Sequence, residues 1–113
     1  MAERRISDLG DTLERIRSLA LAGQLRISVH AHQEMVDEDI TTDQLFEAIA
    51  SGEILENYPQ HRRGPCCLLC GHTVAGRPLH VVCTTALELL IVITAYEPKT
   101  PKWSTPARRR ETR

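Results

Sequence analysis

The spacing of apolar residues changes close to Gly52, and this change limits the possible fold more than any other feature of the chain. Before Gly52, apolar residues recur every three or four positions, which is typical of helices that bury one face. After it, apolar and polar residues alternate, which is typical of strands. Helices followed by strands predict an α+β fold, with N-terminal helices packed on one side of a four-stranded antiparallel sheet.

Three helices are predicted before the change. Ser7 or Asp8 is expected to cap the first, which would end near Gly23, and Ser28 is expected to cap a second, short helix. The buried stripe of the second helix is predicted to consist of Val29, His32, Met35 and Val36. The third helix, residues 42–51, has the clearest signal.

The third helix is framed by capping residues. Thr41 stands three residues before Gln44, which is the spacing of a capping box, and Gly52 follows the last helical residue as a stop. Beyond Gly52 the alternating pattern predicts four strands, near residues 53–58, 66–73, 78–84 and 89–96.

The last two predicted strands form a hairpin that groups polar side chains. A three-residue turn at 86–88 would place His80 opposite Thr94, with Tyr96 diagonally adjacent on the same face. The other face would then be the core side and would carry Leu79, Val81, Cys83, Ile91, Ile93 and Ala95. The polar face is therefore a candidate active site.

The composition limits which classes of protein the chain can belong to. A chain of 113 residues, 42% hydrophobic and 26% charged, is expected to form one globular domain. The net charge of −1 gives no general attraction to nucleic acid, so any such site must be local. The longest apolar run, residues 89–95, is too short to span a bilayer. We therefore expect a cytoplasmic protein with no membrane partner.

Three regions are expected along the chain: an N-terminal helix in residues 1–24, an α+β domain in residues 25–103, and a basic, disordered tail in residues 104–113. The tail contains the run Arg108, Arg109 and Arg110. Its charge contrasts with the mixed charge of the rest of the chain.

The cysteines suggest a metal site that the predicted strand does not favour. Cys67 and Cys70 form a C-x-x-C motif, with Cys66 before it and His72 after it. On a strand, positions 67 and 70 point to opposite sides, so both cannot bind one ion. We expect buried, hydrophobic thiols with no metal and no cofactor; a Cys/His metal-binding protein is the less favoured alternative.

Two histidines form an H-x-H motif at His30 and His32. On a helix their side chains point about 200° apart, which excludes a shared metal ion. Glu34 lies one turn after His30, where its carboxylate would pair with a protonated ring and suit a general acid.

Several of these segments resemble the DUF4258 family of small bacterial and archaeal proteins. The similarity covers roughly residues 25–103, and its most specific motifs are R-P-L-H-V-V and I-T-A-Y-E-P. The matching segments are residues 28–31, 40–41, 64–68, 76–82 and 93–98, together with Lys102 and Trp103. The family has been grouped with ribonucleases of the barnase, EndoU, colicin and RelE type.

This resemblance implies a RelE-like fold of two helices and a four-stranded antiparallel sheet. It also implies a toxin that is held inactive by a cognate antitoxin protein and cleaves RNA, free or ribosome-associated, without a metal. In that reaction a 2′-hydroxyl attacks the adjacent phosphate, which needs a base, an acid and a cation.

The same resemblance suggests a role for each candidate residue. His80 and His30 would serve as acid and base in either order, Arg77 would clamp the phosphate, and Tyr96 would position a reacting group by hydrogen bonding. Lys99 and Thr94 would contact the substrate.

One departure from the family pattern favours another class of function. Glu34 and Glu38 stand where the family has arginines, and the exchange weakens attraction to a phosphate backbone. The alternative is a catalytically inactive module that keeps the fold and binds a protein partner.

Overall fold

The computed structural model describes residues 2–62, 64–86, 88–99, 103–105 and 108–109. Its three helices are α1 (Ala2–Leu21), α2 (Val29–Glu38) and α3 (Thr42–Ser51). Five strands form the main sheet: β1 (Leu25–Ile27), β2 (Glu53–Tyr58), β3 (Cys66–His72), β4 (Pro78–Thr84) and β5 (Leu90–Tyr96). Two short strands, β6 (Trp103–Thr105) and β7 (Arg108–Arg109), form a separate ribbon.

The main sheet has the strand order β1-β5-β4-β3-β2. Strands β2 to β5 pair antiparallel, whereas β1 pairs parallel to β5, with Leu25 opposite Leu90. The predicted α+β class is therefore confirmed, but the four-stranded antiparallel sheet is corrected to a five-stranded mixed one. Strand β1 escaped prediction because three residues are too few to establish an alternating pattern.

Local capping chemistry explains where α2 and α3 begin. Ser28 Oγ accepts the N–H of Ala31 at 3.0 Å. Thr41 Oγ1 accepts the N–H of Gln44, whose side chain accepts the N–H of Thr41 in return, so the predicted capping box is confirmed. Helix α1 differs, since it begins at Ala2 and the cap predicted at Ser7 or Asp8 was wrong.

Helix α2 ends in a Schellman motif without glycine. The N–H of Ile40 donates to Met35 O at 2.8 Å, and the N–H of Asp39 donates to Val36 O at 3.2 Å. Asp39 adopts the left-handed conformation, with φ of 58°. Within α2, Ala31 and Met35 are buried, whereas Val29, His32 and Val36 are exposed, so the predicted buried stripe was mostly wrong.

The sheet has one face packed on the helices and one face turned away from them. The first carries the main core, in which Leu45 and Ile49 of α3 pack with β3 and β4 side chains such as Leu69 and Val81. We call the second face the distal face. It comprises Cys66, Leu68 and Cys70 of β3, His80, Val82 and Thr84 of β4, and Thr94 and Tyr96 of β5.

The polar side chains of the β4–β5 hairpin share one face as predicted, although the register of the two strands differs from the prediction. His80 lies opposite Tyr96 rather than Thr94, and Val82 lies opposite Thr94. Because this shift is two residues, the polar side chains stay on one face. A bulge between Val82 and Cys83 then places Val92, instead of Ile91 or Ile93, in the core.

The C-terminal prediction falls partly outside the described residues. Of the predicted tail, 104–113, residues 106, 107 and 110–113 are not described, while β6 and β7 pair antiparallel in the described part. Disorder of the remainder stays a prediction. Among the described residues, no helix is long and apolar enough to cross a membrane.

Candidate catalytic face

His80 lies at the centre of a row of three side chains on the distal face. Its Nδ1 is 3.3 Å from the Tyr96 hydroxyl, and the two ring centroids are 5.4 Å apart in an edge-to-face arrangement. On the other side, Cys70 is its direct partner on β3. His80 is fully buried, while Cys70 and Tyr96 are half-buried.

The hydrogen-bond pattern of β3 and β4 brings Cys70 close to His80. The N–H of Thr73 donates to Arg77 O, and the N–H of Thr85 donates to Pro65 O, so both of these residue pairs are hydrogen-bonded ones. Hydrogen-bonded and non-hydrogen-bonded pairs alternate along antiparallel strands. Counting inwards from either of these two pairs therefore shows that Cys70 and His80 form a non-hydrogen-bonded pair, the kind in which side chains approach most closely. His80 is therefore flanked by a thiol and a phenol.

A second polar group lies where α2 meets the edge of β5. Thr94 Oγ1 donates a short hydrogen bond to Glu34 Oε1, and that oxygen also accepts the N–H of Ala95 at 2.9 Å. The other oxygen, Oε2, lies 3.5 Å from His30 Nε2. Glu34 thus links His30, whose side chain is 64% exposed, to Thr94 on the distal face.

The edge of β5 explains the positions of two of the three carboxylates on α2. Strand β1 pairs with β5 only as far as Val92, which leaves later N–H groups without a strand partner on that side. Glu34 accepts the N–H of Ala95, and Glu38 Oε1 accepts the N–H of Glu97 at 2.8 Å. Glu34 and Glu38 therefore attach α2 to the sheet, a role that sequence reasoning missed.

Arg77 is engaged at the C-terminal end of α2. Its Nε donates to Glu97 Oε1 at 2.8 Å, and its two terminal nitrogens donate to the carbonyl oxygens of Glu38, at 2.7 Å, and Asp39, at 3.1 Å. A cation is favourable there because the carbonyls at a helix end carry partial negative charge. The structure therefore directs at least three guanidinium donors to α2 and Glu97, rather than to His80.

Lys99 and Thr94, the predicted substrate contacts, lie on different segments. Lys99 follows β5 and is exposed, three residues after Tyr96. Thr94 is half-buried within β5 and hydrogen-bonded to Glu34. The structure thus brings His80, Tyr96 and Thr94 onto one face and adds His30 through Glu34, while Arg77 is held apart.

The cysteines are reduced thiols with distinct surroundings. Cys67 and Cys83 lie opposite each other in the core, and the hydrogen bond between them raises the pKa of Cys83 well above 9.0 and lowers the pKa of Cys67. Burial raises the pKa of both Cys66 and Cys70. Folding therefore favours the protonated thiol at Cys66, Cys70 and Cys83.

Strand geometry separates the C-x-x-C motif. Cys67 belongs to the core cluster, whereas Cys70 lies on the distal face, so one ion cannot bind both. Within the described part of the chain, no group of three or more His, Cys, Asp or Glu side chains could hold a metal ion.

Comparison with known proteins gave one significant match. The model of DUF4258, described as a domain of unknown function, matches residues 27–97, which include α2, α3, β2 to β5 and every residue of the two polar groups. No curated protein matches significantly. No solved structure does so either.

Proposed function

The chain belongs to the DUF4258 family, and from this premise and the geometry of the distal face we propose that it is a metal-independent endoribonuclease with a RelE-like fold. The observation that carries the proposal is the His80–Tyr96 pair beside Thr94 on one sheet face. A cognate antitoxin protein and a cytoplasmic site of action belong to the same proposal.

The two histidines supply the proton transfers. RNA cleavage by its own 2′-hydroxyl requires a base for that hydroxyl and an acid for the departing 5′-oxygen. In one assignment His80 is the base, with its ring oriented by the Tyr96 hydroxyl, and His30 is the acid, with its ring beside Glu34. The reverse assignment uses the same contacts.

The negative charge of the transition state needs a cation. Lys99 is exposed just beyond β5 and follows the strand that carries Tyr96, so its position suits contact with a phosphate. Arg77 uses three of its five N–H donors within the protein. Its main contribution would then be to fix α2, and with it His30, against β5.

The test is cleavage of a mixed-sequence RNA in excess EDTA, followed by analysis of the product ends. We expect 2′,3′-cyclic phosphate ends and a rate loss of about 10²–10⁴-fold in His80→Ala and in His30→Ala. His32→Ala is the matched control, because His32 is exposed on the same helix two residues from His30. Equal losses in His30→Ala and His32→Ala would contradict the role of His30.

A second function is favoured by two observations. His80 is fully buried and Arg77 is already engaged, as would suit a fold that has kept its framework but lost its chemistry. In that case the chain is a catalytically inactive module that binds a protein partner. Absence of cleavage with both free RNA and RNA-loaded ribosomes would favour this function over the endoribonuclease.

A further inference from the structure

A cavity of about 230 Å³ lies between α1 and α3, and we call it the α1–α3 cavity. Its walls consist of Arg17, Ala20 and Leu21 of α1 and Phe46, Ile49 and Ala50 of α3. All of these side chains except that of Arg17 are apolar. Since an apolar cavity of about 150 Å³ holds benzene, the α1–α3 cavity has room for a molecule of about six to nine carbon atoms.

Arg17 is the polar residue of the cavity wall, and its guanidinium is only partly bonded. Nη2 donates to the carbonyl oxygen of Gly52 at 2.6 Å, which is the single hydrogen bond of this side chain among the described residues. Nε is buried without a partner, whereas Nη1, which has no partner among those residues either, is not buried. The N–H groups of Nη1 are therefore available to a ligand, and the bond to Gly52 holds the guanidinium in place.

The positive charge of Arg17 is not neutralised within the described part of the chain, where no ion pair involves this residue. A guanidinium beside apolar walls is poorly solvated, so it gains most from a ligand that brings the opposite charge. Its planar N–H groups match a carboxylate, whose two oxygens accept hydrogen bonds side by side. The α1–α3 cavity thus combines a site for an anion with a site for an apolar chain.

The apolar walls extend from the surface of the protein to its core. Leu21 is 87% exposed and Ala50 is also exposed, while Phe46 is half-buried and Ile49 is fully buried. Leu21 and Ala50 therefore lie at the mouth of the cavity and Ile49 at its floor. A ligand that covers this apolar surface removes it from water, which favours binding.

From these observations we propose that the α1–α3 cavity binds a free monocarboxylic acid with an apolar chain, of about six to nine carbon atoms in all. The carboxylate binds Arg17, and the chain lies against Leu21, Phe46 and Ile49. Half of the wall residues belong to α1, a helix outside the residues 27–97 that match the family model. The inference does not depend on the proposed ribonuclease activity.

The first test is an NMR titration of the ¹⁵N-labelled intact chain with sodium hexanoate, with 1-hexanol as the matched neutral probe. We expect saturating shifts of α1 and α3 amides with a Kd of about 1 mM or lower, and binding of 1-hexanol at least about tenfold weaker. Absence of a saturating shift up to about 20 mM hexanoate would overturn the proposal. Equal affinity for the two probes would overturn the role of the carboxylate.

A third probe distinguishes a free acid from the end of a peptide chain. Acetyl-glycyl-leucine carries the same carboxylate next to an apolar side chain, but adds two peptide groups that the apolar walls cannot pair. It should bind at least about tenfold more weakly than hexanoate. Tighter binding of this peptide than of hexanoate would overturn the free acid as the occupant.

Arginine variants locate the carboxylate. Arg17→Met keeps an unbranched apolar stem but removes the charge, so hexanoate should bind at least about tenfold more weakly. Arg15→Met is the matched control, because Arg15 lies on the same helix and donates to a backbone carbonyl, that of Thr85, but does not line the cavity. Its affinity for hexanoate should stay within about twofold of the parent. Equal losses in the two variants would contradict the site.

Ala50→Leu tests the apolar part of the cavity without altering Arg17. Ala50 is exposed on α3, and leucine has nearly the same helix propensity as alanine, so the variant should fold. The larger side chain should fill the mouth of the cavity and weaken hexanoate binding at least about tenfold. This variant keeps the proposal testable if Arg17→Met, which also loses the bond to Gly52, does not fold. Unchanged affinity in Ala50→Leu would overturn the proposal.

Discussion

Gly71 is the point of closest approach between α3 and the sheet. A Cβ at this position would lie 2.0 Å from the carbonyl oxygen of Ala48, which is backbone and cannot move aside. The packing of α3 on β3 therefore depends on one hydrogen atom in place of a side chain. A similar but milder limit applies at Gly52, where a Cβ would lie 2.8 Å from the same oxygen.

Gly71→Ala should lower the free energy of unfolding by about 2–3 kcal/mol, because α3 must shift away from β3 to admit the methyl group. Gly10→Ala is the matched control, since Gly10 lies within α1 with nothing within 4 Å of its added Cβ. There we expect a gain of about 0.5–1 kcal/mol from helix propensity. Urea unfolding curves measure both, and a near-neutral Gly71→Ala would contradict the close approach.

Asp39 adopts a left-handed backbone conformation, which is strained for a residue with a Cβ but not for glycine. Asp39→Gly should therefore raise the free energy of unfolding by about 0.5 kcal/mol, the relief of strain being partly offset by the greater entropy of an unfolded glycine. The contacts that Arg77 makes with this residue and Glu38 are to carbonyl oxygens, so they persist in the variant. A lower melting temperature than the parent would contradict this explanation.

The buried thiols predict a loss of stability at alkaline pH. Folding raises the pKa of Cys66, Cys70 and Cys83 above 9.0, so above about pH 9 the unfolded chain binds fewer protons than the folded one at these sites. Stability should therefore be full below that pH and fall as pH rises further. The lowered pKa of Cys67 opposes the trend at one site only.

Cys83→Ala should make the alkaline fall shallower, because it removes the thiol with the largest rise in pKa. The free energy of unfolding between pH 7.5 and pH 10 measures the effect in parent and variant. An unchanged slope would show that the Cys67–Cys83 hydrogen bond does not govern the thiol titration.

Among the elements, α2 and β5 form the connection on which the candidate site depends. Ser28 donates to Ile93 O at the β5 bulge, and Glu34 and Glu38 accept N–H groups further along the strand. These three side chains occur at the start, middle and end of one helix, so α2 lies along the sheet edge. His30 is fixed relative to Thr94 as a result.

Glu38→Ala should lower the free energy of unfolding by about 1–2 kcal/mol, because the N–H of Glu97 loses its acceptor. Glu38→Gln keeps an acceptor oxygen and should cost less than half as much. Asp37→Ala is the control, since its neighbouring carboxylate bonds only an exposed glutamine, Gln33, among the contacts described. Equal losses in Glu38→Ala and Asp37→Ala would show that the strand edge does not need Glu38.

Helix α3 and four of the strands, β2 to β5, could be predicted from sequence because their signals are local. The capping box at Thr41 and Gln44, and the alternation in β4, depend on neighbours within a few residues. The roles of Glu34 and Glu38 could not be predicted in this way. They follow from the free edge of β5, which itself depends on β1, a strand too short to recognise.

The grouping of the candidate site residues could be predicted where it depends only on the alternation of side chains between the two faces of a strand. Alternation placed His80, Thr94 and Tyr96 on one face, and an even shift of register left that grouping intact. The engagement of Arg77 with the end of α2 could not be predicted, because it joins residues nearly forty positions apart through backbone carbonyls. The complete burial of His80 was likewise not predicted by the alternation of its strand.

For the whole molecule, the two faces of the sheet have different tasks. The helix-packed face holds the main core, whose apolar side chains stabilise the fold. The distal face concentrates His80, Tyr96 and Thr94, the side chains proposed for the reaction. Substitution of Gly71 would then affect stability, whereas substitution of His80 would affect activity.

The most direct test is RNA cleavage in excess EDTA by the intact chain, with and without His80→Ala. We predict cyclic phosphate ends and a loss of about 10²–10⁴-fold on His80→Ala. Cleavage that is unaffected by His80→Ala would contradict the distal face as the catalytic site. Absence of cleavage by the intact chain, with free RNA and with RNA-loaded ribosomes, would contradict the endoribonuclease itself.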